Sequence, residues 1–280
     1  MIRERFDAFV DKQVGNDLEK RLDVELNEYG FDPWGFHIGT AKIALMITKF
    51  FYKHYFRVCT FGINNVPPGK VMLVANHSGQ IPIDGMLIGT AMALEPDPPR
   101  VVRSMVEYWA PTLPFVGTFF SRVGQTIGTP DNCLRILRKN YGILVFPEGA
   151  AGCGAVWSKR YKLQKFGTGF MRIALEAKVP IVPVAVIGGE EMVPSLWNAR
   201  KVARYLGFPY VPITPTFPLA GPLGVIPYPT KFRLHFGPPI YMDGDPNDED
   251  DVIAEKIDFV KKVLQDMIDD GLQRRTHVFW

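Results

Sequence analysis

"VMLVANHSGQIPIDG", residues 71–85, decides how the rest of the chain is read. Val71-Met72-Leu73-Val74-Ala75 is a short unbroken apolar run, the pattern of a strand buried on both faces. Asn76, His77 and Ser78 follow it directly, and Asp84 is the only acid between Val71 and Leu94. In an open parallel sheet, groups just beyond the carboxyl end of a strand sit where ligands bind. His77 is therefore a candidate general base, and Asp84 is the local candidate to orient it.

Similar β-rich runs occur at 57–63, 100–105, 142–146, 181–187 and 231–236, with helical patterns at 85–94, 131–140 and 166–177 between several of them. That alternation predicts an α/β layer structure with a mixed, largely parallel sheet flanked by helices. Two more runs end in polar groups: Glu148-Gly149 follows 142–146, and Gly188-Gly189-Glu190 follows 181–187. If these strands are parallel neighbours, the three clusters converge on one rim. His77 alone of the five histidines has such a setting. With no second histidine nearby and no paired cysteines, no metal is expected there. G-x-S-x-G, H-E-x-x-H, the P-loop and the dinucleotide fingerprint are absent, and nothing points to nucleic acid.

With 280 residues, 47% hydrophobic and 22% charged, the composition is that of a globular chain. No uncharged apolar run reaches the roughly 18 residues of a bilayer span. The opening MIRERFDAFVDK is charged where a signal peptide has its apolar core, so export is not expected. Cys59, Cys133 and Cys153 show no pairing or metal spacing, which fits a reduced, cytosol-facing protein. The net charge of +3 conceals an asymmetry. Residues 100–178 hold twelve Lys/Arg against four Asp/Glu, and 243–270 hold three Lys against eleven Asp/Glu. The basic middle suits an anionic ligand or membrane surface, or is a solvated face.

Residues 2–26 place Ile2, Phe6, Val10, Val14, Leu18, Leu22 and Leu26 at steps of four, a stripe that drifts around a helix and that Gly15-Asn16 would break. This arm is expected to dock on the body or cap it. Residues 34–56, WGFHIGTAKIALMITKFFYKHYF, are apolar around most of the circumference, with Lys42, Lys49 and Lys53 as the only charges. The pattern fits a helix lying in a membrane interface, lysines toward lipid headgroups, and equally a helix of a soluble core. Proline-dense residues 208–230 predict a long ordered loop region. Residues 251–270 predict an amphipathic helix with Asp248–Asp251 at its start and Gly271 as its stop.

With these residues in view, the chain resembles the glycerolphosphate/lysophospholipid acyltransferase family, in particular 1-acylglycerol-3-phosphate acyltransferase-like members. Four ordered blocks carry the resemblance. Asn76-His77 with Asp84 matches Asn-His-x4-Asp, in the longer His-x6-Asp form of a bacterial branch. Gly117 to Arg122 matches Gly-x-x-Phe-x-Arg, Phe146-Pro147-Glu148-Gly149 matches Phe-Pro-Glu-Gly, and Val179–Val184 matches Val-Pro-Ile-Val-Pro-Val. The resemblance implies a glycerol-3-phosphate acyltransferase-like α/β domain over 57–280. Residues 1–56 would form a helical arm and a membrane-associating helix at the cytoplasmic face.

The implied activity is transfer of a fatty acyl chain from an acyl-CoA or acyl-carrier-protein thioester to a hydroxyl of a lysophospholipid-like acceptor, with no other cofactor. His77 would be the base and Asp84 its orienter. Asn76 and Gly117 belong to the matched blocks, Glu148 and Gly149 would shape the acceptor site, and Arg122 would bind an anionic headgroup. Backbone N–H groups near Ser78–Gln80, or at the helix start after them, would serve as oxyanion donors.

Two departures stand out. Asp84 is two residues farther from the histidine than in the usual block, so the chain must loop out, and Gly79 and Pro82 would permit the bend. Ala150-Ala151-Gly152 replaces the usual Thr-Arg after Phe-Pro-Glu-Gly, so Lys159, Arg160, Lys162 and Lys165 would have to supply the phosphate-binding charge. Against each role stands a plainer one. Arg122 would pair with a surface acid, Glu148 would cap the segment after it, and residues 159–165 would be a solvated face. The competing functions are a non-catalytic lipid or carrier-binding module and an acyl ester or thioester hydrolase.

Overall fold

The strands predicted around residues 71–75 form the middle of one sheet. The computed structural model describes residues 2–15, 18–112 and 114–280. Its strands are β1 (Cys59–Phe61), β2 (Met72–Ala75), β3 (Val102–Val106), β4 (Thr126–Ile127), β5 (Gly142–Val145), β6 (Ile181–Ile187), β7 (Trp197–Asn198), β8 (Pro212–Ile213) and β9 (Arg233–Phe236). The helices are α1 (Ile2–Val14), α2 (Leu18–Arg21), α3 (Ile38–Phe50), α4 (Ile83–Leu94), α5 (Val116–Arg122), α6 (Pro130–Arg138), α7 (Ala150–Cys153), α8 (Gly169–Ala177), α9 (Arg200–Leu206) and α10 (Asp250–Arg274). Seven strands lie in the order β1-β9-β6-β2-β5-β3-β4, and β7 and β8 form a separate pair. β6, β2, β5, β3 and β4 run parallel, whereas β9 joins β6 antiparallel. The sheet is thus mixed and largely parallel, as the alternation of runs predicts.

Burial explains the unbroken apolar runs. Met72 and Val74 pack with residues of α6, α8 and α10 on one face of the sheet. Leu73 and Ala75 pack with α4 and with Tyr52 and Phe56 on the other. With both faces covered, β2 has no polar side to alternate to. Thr129 caps α6 by accepting the Asn132 N–H at 3.2 Å, with Pro130 at the first helical position, as Pro130-Asp131 signals.

Three expectations change. Gly271 does not stop the last helix, because α10 continues to Arg274 with Gly271 buried inside it. A Cβ there would lie 2.2 Å from Ile187 Cδ1, so this glycine lets the helix press onto β6. Gly271→Leu should cost about 1–3 kcal/mol through overpacking, read as a lower denaturant midpoint at unchanged m.

The second change is in residues 34–56. The helix begins only at Ile38, with His37 Nδ1 capping the Thr40 N–H at 3.2 Å, and it passes into a π-helical turn at Phe51–Tyr55. Lys42 pairs with Asp11 at 3.0 Å and Glu19 at 3.1 Å. Lys49 donates to the Gln13 carbonyl. Both lysines hold the N-terminal arm, and the arm packs on α3. Ile43, Ile47, Phe50 and Phe51 remain exposed, so α3 bares one side, and of its residues only Ile38 is buried. No helix of the described residues is long and apolar enough to cross a membrane.

In the arm itself, Val10, Val14 and Leu18 are buried while Phe6 is exposed, as a stripe of step four must drift. Gly15 follows α1 as expected of a break, and Asn16 lies outside the described residues. The third change is in the proline-dense region, which is not pure loop: it contains β8 and a 3₁₀ turn at Gly221–Val225.

Candidate active site

β2 ends at Ala75 with β6 on one side and β5 on the other, so the three polar strand ends meet. Asn76 extends the sheet with its side chain. Its Nδ2 donates to the Val186 carbonyl at 3.0 Å, and its Oδ1 accepts the Val186 N–H at 2.7 Å. That pairing fixes the start of the loop that carries His77.

The long His-x6-Asp spacing closes by two consecutive tight turns. Ile81 N–H donates to the Gly79 carbonyl at 2.6 Å, and Ile83 N–H donates to the Ile81 carbonyl at 2.7 Å. Gly79 and Gln80 both take left-handed backbone, with φ of +84° and +58°. A Cβ on Gly79 would stand 2.2 Å from the Gly189 carbonyl oxygen, so only glycine lets this loop press against the end of β6. Pro82 then precedes α4, and Asp84 lies in its first turn, where the helix dipole favours a carboxylate.

Asp84 thereby reaches the imidazole. Its Oδ2 lies 2.7 Å from His77 Nδ1 and accepts the Ser78 N–H at 2.9 Å, and its Oδ1 accepts the Gly85 N–H at 2.8 Å. The carboxylate is fully buried. The His77 ring stacks on Phe146, with centroids 4.3 Å apart. Burial pulls the imidazole pKa down, but the Asp84 carboxylate, aided by Cys153, more than offsets this and holds it well above the usual 6.5. With Nδ1–H turned to Asp84, Nε2 is the nitrogen that can take a proton from a substrate.

Glu148 holds backbone on two sides. Oε1 accepts the His77 N–H at 3.1 Å, and Oε2 accepts the Gln164 N–H at 2.6 Å. Burial raises its pKa, partly offset by those two N–H groups. Glu190 lies close by, and burial pushes its pKa up to about 8. Asn76, His77, Glu148 and Glu190 line a pocket of about 10 Å³, the room of a single water.

On its other side His77 opens onto a far larger cavity of about 680 Å³. Ala41, Ala44, Leu45 and Thr48 of α3, Met86, Gly89 and Ala93 of α4, and Phe119 and Phe120 of α5 line it, and Leu18 and Leu22 of the arm reach it. Thr48 and Thr90 tie α3 to α4 by a hydroxyl hydrogen bond of 2.9 Å. The exposed stripe of α3 is thus the outside of a helix whose inner side is cavity wall.

The remaining expected residues divide. Gly149 lines the large cavity at the end of β5. Gly117 sits in the first turn of α5, where a Cβ would meet the Pro111 carbonyl at 2.6 Å, so it serves close packing. Arg122 is exposed at the end of α5 and lines neither pocket, although its neighbours Phe119 and Phe120 line the large one. Arg160 is exposed and stacks on Trp157 at 4.5 Å, and Lys165 is exposed as well; neither lines either of these two pockets. Of the backbone donors near Ser78–Gln80, Ser78 N–H is committed to Asp84 and Gln80 N–H to the Cys153 carbonyl at 2.9 Å.

Two side chains escape the sequence reading. Cys153 lines the cavity beside His77, and Tyr210 donates to the Gln80 carbonyl at 2.8 Å and lies 3.0 Å from Cys153 Sγ. Tyr210 sits in the proline-dense stretch, where no local pattern marks it.

Comparison with known proteins adds the following. A family model described as "Acyltransferase" matches residues 57–187. An uncharacterised protein of Mycobacterium leprae is 39% identical over 95% of this chain and 74% of its own length. The "DGAT1/2-independent enzyme synthesizing storage lipids" of Mus musculus is 26% identical over 74% of this chain and 58% of its own. Among solved structures, the 1-acyl-sn-glycerophosphate acyltransferase PlsC from Thermotoga maritima has the same fold: TM-score 0.51, 17% identity, 82% of this chain and 81% of that one covered.

Proposed function

The chain belongs to the acyltransferase family, and from that premise we propose that it moves a fatty acyl chain from an acyl-CoA or acyl-carrier-protein thioester to a hydroxyl of a lysophospholipid-like lipid at a membrane surface. The observation that carries this reading is the His77–Asp84 pair at the wall of a large, mostly apolar cavity. His77 Nε2 takes the proton of the acceptor hydroxyl as its oxygen attacks the thioester carbonyl. The thiolate leaves and takes that proton back from the imidazolium, so no covalent enzyme intermediate is needed. Asp84 fixes the tautomer and stabilises the imidazolium. The acyl chain lies between α3, α4 and α5, where mostly apolar surface would line its path.

Mass spectrometry of lipid products tests this, with a long-chain acyl-CoA and a panel of lysophospholipids, glycerophosphates and neutral alcohols. One acylated acceptor with matching thiol release is expected. Thiol release at the same rate with every acceptor left out would make the protein a hydrolase instead. Absence of both reactions with either thioester donor would leave a binding module.

The cavity makes a second expectation. A Cβ at Gly89 would meet nothing within 4 Å and would point into open space. Gly89→Phe should therefore fill the cavity and lower turnover of long-chain relative to short-chain donors by about tenfold or more. Gly89→Ala should raise stability by about 0.5–1 kcal/mol, since glycine is a poor residue inside a helix. Chain-length profiles and urea unfolding check the two effects.

A further inference from the structure

Between Glu191 and Asp243 the chain has no Asp or Glu, yet it holds Arg200, Lys201, Arg204, Lys231 and Arg233. Most of this stretch is an excursion between β6 and β9 that leaves the sheet and returns. It bares large apolar side chains in unusual density. Trp197, Tyr205, Leu219, Leu223 and Ile226 are all exposed, Tyr205 and Leu219 by 90% and 92%. Among the described side chains of α9 only Ala203 is buried, and Arg200, Lys201 and Arg204 stand out beside Tyr205. A soluble monomer does not gather such residues without a use for them.

The excursion touches the site at two places. Phe208 packs edge-on against Trp109, a residue lining the large cavity, with centroids 6.5 Å apart. Tyr210, two residues on, holds the Gln80 carbonyl in the loop between His77 and Asp84. At its far end the Pro227 carbonyl accepts the Tyr55 hydroxyl at 2.6 Å, next to the bared Phe51 of the turn after α3. The excursion thus runs from the exposed end of α3 to the cavity wall.

We infer that residues 196–228 form a membrane-docking surface for an anionic bilayer, with Trp197, Tyr205, Leu219 and Leu223 entering the interface and Arg200, Lys201 and Arg204 facing the headgroups. Charge chooses the partner class together with apolarity. An acid-free basic segment suits anionic lipid, and an acidic carrier protein would match the charges but leave the leucines and tryptophan uncovered. The surface lies against the cavity from which a lipid substrate is served, and in that respect the inference rests on the function proposed above. Docking would also fix Tyr210, and through it the turns that join His77 to Asp84.

The test is binding of the full chain to vesicles, with no turnover involved. Phosphatidylcholine vesicles with and without phosphatidylglycerol are compared by flotation. Arg200→Glu/Lys201→Glu/Arg204→Glu should lower binding to the anionic vesicles by roughly 100-fold and flatten its salt dependence. Trp197→Ala/Leu219→Ser/Leu223→Ser should lower binding to both vesicle types by about tenfold or more. These side chains are exposed, so both variants should keep the wild-type melting point. Both should also keep wild-type acyl transfer when the acceptor is offered in neutral detergent micelles. Unchanged vesicle binding in both variants overturns the inference, as does binding lost only for acyl-carrier protein. Absence of transfer in wild-type micelles would instead count against the proposed function and leave the docking result standing.

Discussion

His77→Ala is expected to lower acyl transfer by about 10²–10⁴-fold, the usual contribution of a positioned general base, while the fold survives. The ring stacks on Phe146 and meets Asp84, but the backbone around it is held independently by Asn76, Glu148 and Gly79. Retained turnover in a folded His77→Ala variant would remove His77 from the reaction. Asp84→Asn should give a comparable loss and add a pH signature. Asp84 raises the imidazole pKa, so in the native protein the neutral, proton-accepting form appears only as pH rises well past 6.5. Turnover should therefore climb with pH on its acid limb, with an inflection above 6.5. The Asp84→Asn variant should move that inflection down while the plateau falls. An inflection that stays in place would mean that Asp84 has no electrostatic hold on the base.

The loop makes a sharper point about Asp84 than its identity does. Read along the chain, the carboxylate is two residues too far, and the local signals are one glycine and one proline. In the fold, two successive i→i+2 turns take up the excess, and Gly79 leaves no room for a side chain against the Gly189 carbonyl. That contact joins the loops that follow β2 and β6 and has no local sequence mark beyond the glycines themselves.

The same division runs through the molecule. β2, β5 and β6 are legible because burial on both faces leaves apolar runs ending abruptly in polar groups. The two-residue strand β4 at the sheet edge and the pair β7 and β8 are too short to print a period. Lys42 and Lys49 look like headgroup ligands on an isolated helix, but the arm that neutralises Lys42 and offers Lys49 a backbone carbonyl is far away in sequence. Cys153 offers no spacing to read, and Tyr210 lies among prolines. Their meeting at Gln80 is wholly tertiary. Arg122 shows the converse: a charge that fits a block by position lines neither cavity, and Arg160 and Lys165, which would replace a charge missing from another block, line neither as well.

The largest stability effect is expected at Asp32. Arg103 lies on β3 with no solvent exposure, ion-paired to Asp32 and surrounded by Trp34, Phe36 and Tyr141, whose rings lie 5.0–5.9 Å from the guanidinium carbon. Asp32 Oδ1 also accepts the N–H groups of Trp34 and Phe36 at 2.9 and 2.8 Å, so one carboxylate shapes the turn and neutralises the cation. Asp32→Ala strips both, leaving a buried charge unpaired at a cost of about 3–5 kcal/mol. Replacing the cation as well should recover much of that loss, since an apolar pair of similar volume is often no worse than a buried ion pair. Urea unfolding of Asp32→Ala, Arg103→Met and the double variant reads the difference, and strict additivity would refute the coupling. The consequence reaches the site. Phe36 and Ile38, just beyond this turn, line the large cavity, and α3 walls one side of it. The Arg103–Asp32 pair therefore sets where the wall stands, and the double variant, though stable, should lose discrimination between long and short acyl chains.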